Sequence, residues 1–260
     1  MEPWRTAIAT SDATNIWVRG REITQLMRGA TFTDIIVLLH LARLPTPGER
    51  RLLDAILVGV ADHGAGAPSC AAARIAASGN RQSISAAVAA GILTIGDEHG
   101  GAGSNCMEMI ADGLAIGARD GLRADAAARR VVEKAIAAKQ RLPGLGHRVH
   151  TQDPRVAALF EMAEEEAIAG DGVAFMRALE SEARTRIKPL PMNVDGALAA
   201  VLHDMGFPPA AGKFIFIIGR VAGLTAEVAE EYARERPMRI KVDVEYDGVP
   251  PVEDHAPKRS

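Results

Sequence analysis

Apolar residues recur at helical spacing along almost the whole chain, and this periodicity restricts the fold more than any other feature. Within residues 47–64 the apolar positions at such intervals are Leu52, Leu53, Ile56, Leu57 and Val60. This spacing places an apolar stripe along one side of a helix, and the proline near the start of the segment favours a helix boundary there. The same pattern predicts ten helices, over residues 32–44, 47–64, 68–79, 81–96, 105–120, 123–141, 153–167, 171–187, 194–205 and 208–236.

Strand signals are poor by comparison. NIWVRG near the start and IKVDVEY at 240–246 are both short, and the second alternates polar with apolar residues. Aromatic residues make up 4% of the chain, so the helices are expected to pack closely through small side chains. The predicted fold class is all-α.

Three flexible segments suggest how the chain is divided. Glycine clusters at 100–103 and 144–146 and the KPLPMN segment at 188–193 are natural hinges. They separate a first block, which ends near residue 103, from an inserted block that ends near residue 200. The C-terminal block then returns to the first.

Bulk composition argues against several classes of function. The formal net charge is −3, so no excess of basic residues is available for nucleic acid. No apolar run approaches the ~20 residues that span a bilayer, and no signal-peptide segment is evident. Cys70 and Cys106 lack CxxC spacing and are predicted to be buried free thiols, which fits a reducing compartment. We therefore expect a cytoplasmic protein that binds neither nucleic acid nor membrane.

Four interruptions of the helical pattern carry polar residues beside glycine or proline. They are ADHGAGAPS with Asp62 and His63, GDEHGGAGSN with His99, PGLGHRVHTQDPR with His147, Arg148 and Arg155, and KPLPMNVDGAL with Asp195. Polar residues at helix ends can meet in a cleft, where glycine lets the backbone approach a ligand closely.

Each of these residues also has a purely structural interpretation. Asp195 would serve as an N-cap, His63 and His99 would interact with helix C-terminal dipoles, and Arg155 would be a solvated first-turn residue. The remaining histidines are assigned no role in the site: His40, His150, His203 and His255. The joint occurrence of three loop histidines, a helix-start aspartate and arginines favours a site over these single explanations.

Several known site patterns are absent from the sequence. HExxH and HxxxH spacings do not occur, so we expect no metal. GxGxxG after a strand, GxxxxGK[ST] and GxSxG are absent too. What remains is chemistry by histidines, one carboxylate and arginines. Arginine binds carboxylates bidentately, histidine donates to developing oxyanions, and an aspartate can move a proton to or from carbon. That set suits enolisation beside a polycarboxylate.

The order of GDEHGGA, PGLGHR…DPR, MNVDGAL and GRVAG resembles the citrate synthase superfamily. ADHG, GILTIGDEHGGA and NVDGALAAVL are most similar to its citryl-CoA lyase branch, which includes the lyase module at the end of ATP-citrate lyase. The resemblance extends from TFTDIIVLLHLARLPTPGE to ERPMRI. The chain is expected to lack much of the N-terminal region of full-length citrate synthases, as a lyase module does.

The resemblance implies a role for each motif residue. His147 would contact the carbonyl or hydroxyl oxygen of the oxaloacetate unit, Asp195 would exchange a proton with the acetyl carbon, and His99 would donate to the thioester oxygen. The implied carboxylate-binding residues are His63, Arg155, Arg220 and, from a neighbouring subunit, Arg236. The implied coenzyme A contacts are Leu142, Pro143, Gly144, Leu145, Gly146 and Arg148.

The resemblance also implies an architecture and a ligand set. It predicts an all-α homodimer in which residues 1–103 and 201–260 form a large domain and residues 104–200 a smaller mobile one. The implied ligands are acetyl-CoA or citryl-CoA and oxaloacetate, so coenzyme A enters as the acyl thioester substrate, with no metal or prosthetic group. A separate citrate-activating ligase is a further implied partner.

Two departures from the family pattern bear on the activity. The lyase module has an aromatic residue where this chain has His99, so synthase activity, with hydrolysis of the citryl thioester, stays open beside reversible cleavage of citryl-CoA. Thr151 stands where synthases commonly have a basic residue after GHR, which leaves the CoA phosphate contacts open. The residues are also compatible with a related acyl-CoA or 2-oxoacid substrate and with a non-catalytic subunit that binds CoA esters.

Overall fold

The computed structural model describes residues 2–146 and 152–249. Helices account for 62% of it, which confirms the predicted all-α class. The eleven helices of the described chain are α1 (Ile23–Gly29), α2 (Phe32–Leu41), α3 (Pro47–Ala61), α4 (Pro68–Gly79), α5 (Ile84–Leu93), α6 (Ala102–Asp120), α7 (Ala124–Ala138), α8 (Pro154–Glu165), α9 (Asp171–Arg186), α10 (Val194–Asp204) and α11 (Ala211–Arg234). Each predicted helix is present with shifted or equal bounds; α1 was not predicted.

The strands are few and short. An antiparallel sheet in the order β1-β2-β3 is formed by β1 (Ala9–Ser11), β2 (Ile16–Val18) and β3 (Arg21–Glu22). The NIWVRG segment therefore contains β2. The alternating segment 240–246 forms no strand although all of it is described. Its Val242 and Val244 are 72% and 85% exposed. Within the described residues, no apolar surface packs against these side chains.

Helix ends follow local chemistry. α3 begins with Pro47 after a capping box, in which the Thr46 side chain accepts from the Glu49 amide and the Glu49 side chain accepts from the Thr46 amide. α2 ends at Leu41, earlier than predicted, because Ala42 adopts the left-handed conformation with φ of 56°. The predicted end of α2, residue 44, lies three residues beyond the observed one, because the backbone of Ala42 leaves the helical conformation.

The core surrounds α10. Every residue from Gly196 to Leu202 is buried, and α10 packs against α6, α8, α9 and α11. A helix that is apolar on all sides belongs in the interior of a protein. The first turn of this helix is therefore anchored in the centre of the molecule.

A second, smaller cluster lies between α4, α5 and α11 and includes Cys70 and Leu224. Cys70 and Cys106 are both buried and free, which confirms the prediction for these thiols. The main hydrophobic cluster is continuous from α3 through α6 to α10. The predicted domain boundaries near residues 103 and 200 are not marked by a gap in this packing and stay a prediction.

Among the helices within residues 2–146 and 152–249, none has the combination of length and apolar character that crossing a bilayer requires.

Candidate active site

Asp195 lies in the first turn of α10, as predicted, but it is not the cap of that helix. Asn193 is the N-cap, and its side-chain oxygen accepts from the Gly196 amide at 3.2 Å. The structural interpretation of Asp195 as an N-cap is therefore wrong. The Oδ1 atom of Asp195 is buried and has no hydrogen-bond partner within the described chain. An unsatisfied buried carboxyl oxygen is costly to a fold and points to a chemical use.

The pKa of Asp195 is shifted into the range useful for proton transfer. Burial raises the pKa of this carboxyl to about 6, while the positive charges of Arg155 and Arg220 oppose that rise and the negative charge of Asp153 adds to it. A carboxyl with such a pKa exchanges between its two protonation states close to neutral pH. Asp195 is thus suited to both giving and taking a proton.

Sulfur-containing side chains form an apolar wall beside this turn. Cys106 is fully buried, with its Sγ 3.7 Å from the Sδ of Met176. A Cβ placed on Gly196 would lie 2.9 Å from Met192 Cγ and 3.1 Å from Met176 Cε. Burial and the charge of Asp195 raise the pKa of the Cys106 thiol. The thiol therefore stays neutral and contributes to the low polarity that shifts the pKa of Asp195.

Arg155 is bound to a carboxylate that sequence reasoning did not include. Its Nε lies 2.9 Å from Asp153 Oδ1 and its Nη2 2.7 Å from Asp153 Oδ2, and its Nη1 donates to the Gly59 carbonyl at 3.0 Å. The side chain is 22% exposed, so the interpretation as a solvated residue is wrong. Asp153 Oδ2 also accepts from the Val194 amide at 3.2 Å. This ion pair therefore joins the start of α8 to the start of α10 and to the last turn of α3.

Arg220 is a buried cation whose hydrogen bonds within the described chain go to a carbonyl and a hydroxyl, not to a carboxylate. It is 2% exposed on α11. Its Nε donates to the Val60 carbonyl at 2.8 Å, its Nη1 donates to Ser69 Oγ at 3.0 Å, and its Cζ lies 4.9 Å from the centre of the Phe216 ring. A buried charge needs a counter-charge or full solvation by hydrogen bonds. This environment fits a site that receives an anion.

His99 is fixed in one tautomer by Ser69. The Ser69 amide donates to His99 Nε2 at 3.2 Å, and the Ser69 hydroxyl lies 3.0 Å from the same nitrogen. Because a backbone N–H only donates, Nε2 carries the lone pair and the proton of the neutral ring is on Nδ1. His99 lies in the loop between α5 and α6, beyond the last turn of α5, which rules out the helix-dipole interpretation. The neutral ring presents one N–H donor.

His63 lies in the exposed loop that follows α3. The neighbouring Asp62 anchors this loop, because its Oδ1 accepts from the Gly64 amide at 2.6 Å and its Oδ2 accepts from the Cys70 thiol at 3.3 Å. His63 stands two residues beyond the end of α3, after the C-cap residue Asp62. The helix-dipole interpretation placed His63 at the C-terminal end of α3, whereas the structure places it in the loop beyond that end.

One group of side chains within the described chain has the donor types of a cation site. Single ligand atoms of Asp62, Cys70 and Glu227 lie within 4.8 Å of one another. Glu227 already forms an ion pair with Arg74 at 2.5 Å, and burial raises the pKa of the Cys70 thiol. The ion pair of Glu227 with Arg74 and the protonated Cys70 thiol favour a hydrogen-bonded cluster over a metal site.

The predicted coenzyme A strip packs directly on the first turn of α10. Gly144 is buried with φ of +81°, and a Cβ there would lie 2.7 Å from both Cys106 Sγ and Gly196 Cα. The Gly146 amide donates to the Pro191 carbonyl at 2.7 Å, and the Asn193 amide donates to the Gly144 carbonyl at 3.0 Å. Only glycine fits at position 144, since this contact needs both a positive φ and the absence of a side chain.

The structure thus brings part of the predicted site together. Ser69 contacts both His99 and Arg220. Burial raises the pKa of Asp195, and the charges of Arg155 and Arg220 oppose that rise. His147 and Arg148 lie outside the described residues. Arg236 is exposed beyond the end of α11, and within the described chain no contact joins it to Asp195 or Arg220.

Sequence reasoning missed Ser69, Asp153 and Asn193. Two of them had a signal: an aspartate before proline and an asparagine two residues before an acidic helix residue are both typical of N-caps. Ser69 had none, because its partners are 30 and 151 residues away in the sequence.

Comparison with known proteins identifies the family of the chain. The family profile described as "Citrate synthase, C-terminal domain" matches residues 40–241. The 2-methylcitrate synthase of Shewanella oneidensis is 32% identical over 217 residues, which are 82% of this chain and 54% of that protein. Citrate synthase 2 of Bacillus subtilis is 31% identical over 76% of this chain and 52% of its own. The chain spans about half the length of these curated relatives.

Solved structures extend the comparison to whole chains. Citryl-CoA lyase from Hydrogenobacter thermophilus is 37% identical, and the match covers 97% of both chains with a TM-score of 0.88. An ATP citrate lyase from Methanothrix soehngenii, solved with citrate and coenzyme A, is 19% identical with a TM-score of 0.77 and is covered over 43% of its length. The latter likeness concerns the fold alone.

Proposed function

This chain belongs to the citrate synthase family, and from that premise we propose that it cleaves citryl-CoA reversibly to acetyl-CoA and oxaloacetate. One observation carries the proposal: the buried Oδ1 of Asp195, which has no hydrogen bond within residues 2–146 and 152–249, interacts electrostatically with the buried guanidinium of Arg220. A carbon acid–base group beside an anion site is what such a cleavage needs. The similarity to citryl-CoA lyase over nearly the whole of both chains supports it.

In the proposed cleavage, a base removes the proton of the tertiary alcohol and the alcohol oxygen becomes the carbonyl of oxaloacetate. The electrons of the broken carbon–carbon bond move to the carbon beside the thioester and give the enolate of acetyl-CoA. The protonated Asp195 carboxyl then delivers its proton to that carbon, which becomes the methyl group. The residue assigned to the alcohol oxygen is His147, on the strength of the family motif. General acid–base steps of this kind contribute on the order of 10²–10⁴-fold each.

His99 is the proposed donor to the thioester oxygen. Its Nε2 is occupied by Ser69, so the Nδ1–H is the group that would stabilise negative charge on the enolate oxygen. A neutral donor does this without giving up its proton to the enolate. Removing one donor of this type costs about 10²–10³-fold in rate.

The carboxylates of the oxaloacetate unit are assigned to Arg220, Arg155 and His63. Arg220 is the strongest candidate, because its hydrogen bonds within the described chain go to a carbonyl and a hydroxyl and leave its charge without a carboxylate. Arg155 already shares its charge with Asp153, so a substrate carboxylate would add to an existing pair. A second copy of the chain in a homodimer is proposed to supply Arg236.

Coenzyme A is proposed to bind as the acyl thioester substrate along Leu142, Pro143, Gly144, Leu145 and Gly146, with Arg148 beside them. The buried backbone of Gly144 against α10 supports a rigid strip there. The proposed cleavage needs no metal and no prosthetic group. The protein is further expected to be cytoplasmic and to act together with a separate citrate-activating ligase.

The test is to incubate the purified chain with citryl-CoA and to follow the release of oxaloacetate. Cleavage that is lost in Asp195→Asn supports the proposal. Absence of oxaloacetate from a folded wild-type protein would contradict it.

The second candidate is a citrate synthase, and the observation that favours it is the histidine at position 99 together with relatives named as synthases. Acetyl-CoA and oxaloacetate are supplied together and free CoA is measured. Stoichiometric release of CoA identifies a synthase. If CoA is not released while citryl-CoA is cleaved readily, the chain is a lyase.

A non-catalytic subunit that binds CoA esters is a weaker candidate. Such a subunit would have no use for a buried aspartate with a pKa of about 6 or for a histidine held in one tautomer. Light scattering with and without a citrate-activating ligase would reveal a complex, and a folded chain without turnover would favour this candidate.

A further inference from the structure

Asn193 uses both ends of its side-chain amide at the point where two site segments meet. The Oδ1 atom accepts from the Gly196 amide at 3.2 Å and so caps α10. The Nδ2 atom donates to the Gly146 carbonyl at 2.8 Å. One end of the amide therefore fixes the helix that carries Asp195, and the other fixes the peptide bond that leads from Gly146 to His147.

The surrounding backbone makes this junction stiff. Leu145 and Met192 form an antiparallel bridge, and the amides of Gly146 and Asn193 each donate to a carbonyl of the opposite segment. A Cβ on Gly196 would lie 2.5 Å from the Gly144 carbonyl oxygen, so the two segments touch without side chains between them. Within this contact the Asn193 amide is the side-chain link from the N-terminus of α10 to Gly146.

We infer that Asn193 is a positioning residue, which holds the peptide before His147 in register with Asp195. Its chemistry is specific. Aspartate or serine caps a helix as well as asparagine does, but neither can both accept from Gly196 and donate to Gly146 through one planar amide. A misplacement of about 1 Å between reacting groups costs about 10²-fold in rate. The inference rests on the proposed function for its kinetic consequence only.

The test compares Asn193→Asp and Asn193→Ser with wild type in the 260-residue chain. Both variants keep an oxygen for the Gly196 amide and lose the donor to Gly146, and the serine avoids placing a carboxylate against that carbonyl. The control is Ser83→Ala, which removes the N-cap of α5, a helix without predicted site residues.

Hydrogen exchange by mass spectrometry gives the first readout, and it does not depend on activity. In both variants the amides of Leu145 and Gly146 are expected to exchange about fivefold faster, as the loss of about one hydrogen bond implies, while the amides of α10 keep wild-type rates. Equal loss of protection in α10 would overturn the inference, because Asn193 would then act as a cap alone. So would unchanged exchange at Leu145 and Gly146.

Turnover of citryl-CoA gives the second readout. kcat is expected to fall about 10²-fold with a much smaller change in KM, while Ser83→Ala keeps the wild-type kcat. Wild-type kcat in Asn193→Ser would overturn the positioning role. If the wild-type protein itself does not cleave citryl-CoA, the proposed function fails, and exchange at Leu145 and Gly146 then decides whether Asn193 anchors this segment.

Discussion

Burial raises the pKa of the Asp195 carboxyl to about 6, and the guanidinium of Arg220 on the neighbouring helix opposes that rise. Arg220 is 2% exposed and, within the described chain, donates to a carbonyl and a hydroxyl. Asp195 is partly exposed as a residue, but its Oδ1 atom is buried and has no hydrogen bond within the same residues. The fold thus keeps two costly groups close enough to influence one another. This relationship has consequences for stability as well as for turnover.

Replacing Asp195 with asparagine should remove turnover and stabilise the fold. Because the folded-state pKa of about 6 lies above the unfolded value near 3.9, the folded protein binds the proton more tightly. The stabilising effect of that proton is complete below pH ~4 and is lost as the pH rises through about 6. At pH 8 the ionised carboxylate therefore costs on the order of 3 kcal/mol, which Asp195→Asn should recover.

The measurement is the free energy of unfolding from urea titrations at pH 4 and pH 8, together with turnover of citryl-CoA. Asp125→Asn, at an exposed position in the first turn of α7, is the control for charge removal. A variant that is less stable than wild type at pH 8, or that keeps near wild-type turnover, would contradict the assignment of Asp195.

The pH dependence of cleavage should depend on Arg220. In the cleavage direction Asp195 must carry its proton, so kcat/KM is expected to fall as the pH rises through about 6. Arg220→Gln removes a charge that lowers this pKa, so the descending limb should move to higher pH. Losing the anion-binding group should also cost at least ~2 kcal/mol of transition-state stabilisation in kcat/KM.

These profiles are measured as initial rates of oxaloacetate release across the pH range in which the protein remains folded. Arg119→Gln removes an arginine from an exposed ion pair on α6 and serves as the control. An unchanged limb in Arg220→Gln would mean that the charge of Arg220 does not reach Asp195 in solution.

Leucine in place of His99 tests the donor. Leucine has no N–H near the position of Nδ1, so kcat should fall about 10²–10³-fold with the fold retained. His203→Gln changes a histidine near the end of α10 and should leave kcat as it is. Turnover of citryl-CoA and a thermal unfolding curve check both variants. Wild-type kcat in His99→Leu would remove His99 from the mechanism.

The contact between Gly196 and Gly144 should tolerate no side chain. A Cβ on Gly196 would lie 2.5 Å from the Gly144 carbonyl oxygen, so Gly196→Ala should destabilise the chain by about 1–3 kcal/mol. Gly29→Ala, where nothing lies within 4 Å of the added Cβ, is the matched control. Urea unfolding measures both. Equal stability of the two variants would show that the segments separate easily.

Local chemistry was sufficient to predict much of the fold. Periodicity located ten of the eleven helices of the described chain, and both predicted ends of α4, at its leading proline and its final glycine, match the structure. The misses were at α1, a seven-residue helix, and at the end of α2, where the backbone angle of Ala42 is decisive. Neither leaves a clear periodic signal in so short a stretch.

The sequence predicted those site residues whose place depends on the neighbouring sequence. It did not predict those whose role depends on a contact with a residue far away in the chain. Asp195 was expected at a helix start because a proline-rich segment precedes it. The ion pair of Asp153 with Arg155 and its hydrogen bond to Val194, 41 residues away, depend on tertiary packing that no local pattern records. The junction of Ser69 with His99 and Arg220 is of the same kind.

The Ser69 hydroxyl fixes the direction of the hydrogen bonds in the cleft, and a ligand must match that direction. It has a single proton, and because its oxygen accepts from Arg220 Nη1, that proton is directed toward His99 Nε2. The donors run in one direction, from Arg220 through Ser69 to His99 Nε2, which leaves the ring proton on Nδ1. An inhibitor for this cleft should therefore place an anionic group opposite Arg220 and an uncharged acceptor opposite His99. A compound that places an ammonium group at the second position would offer no lone pair there, set donor against donor and lose affinity.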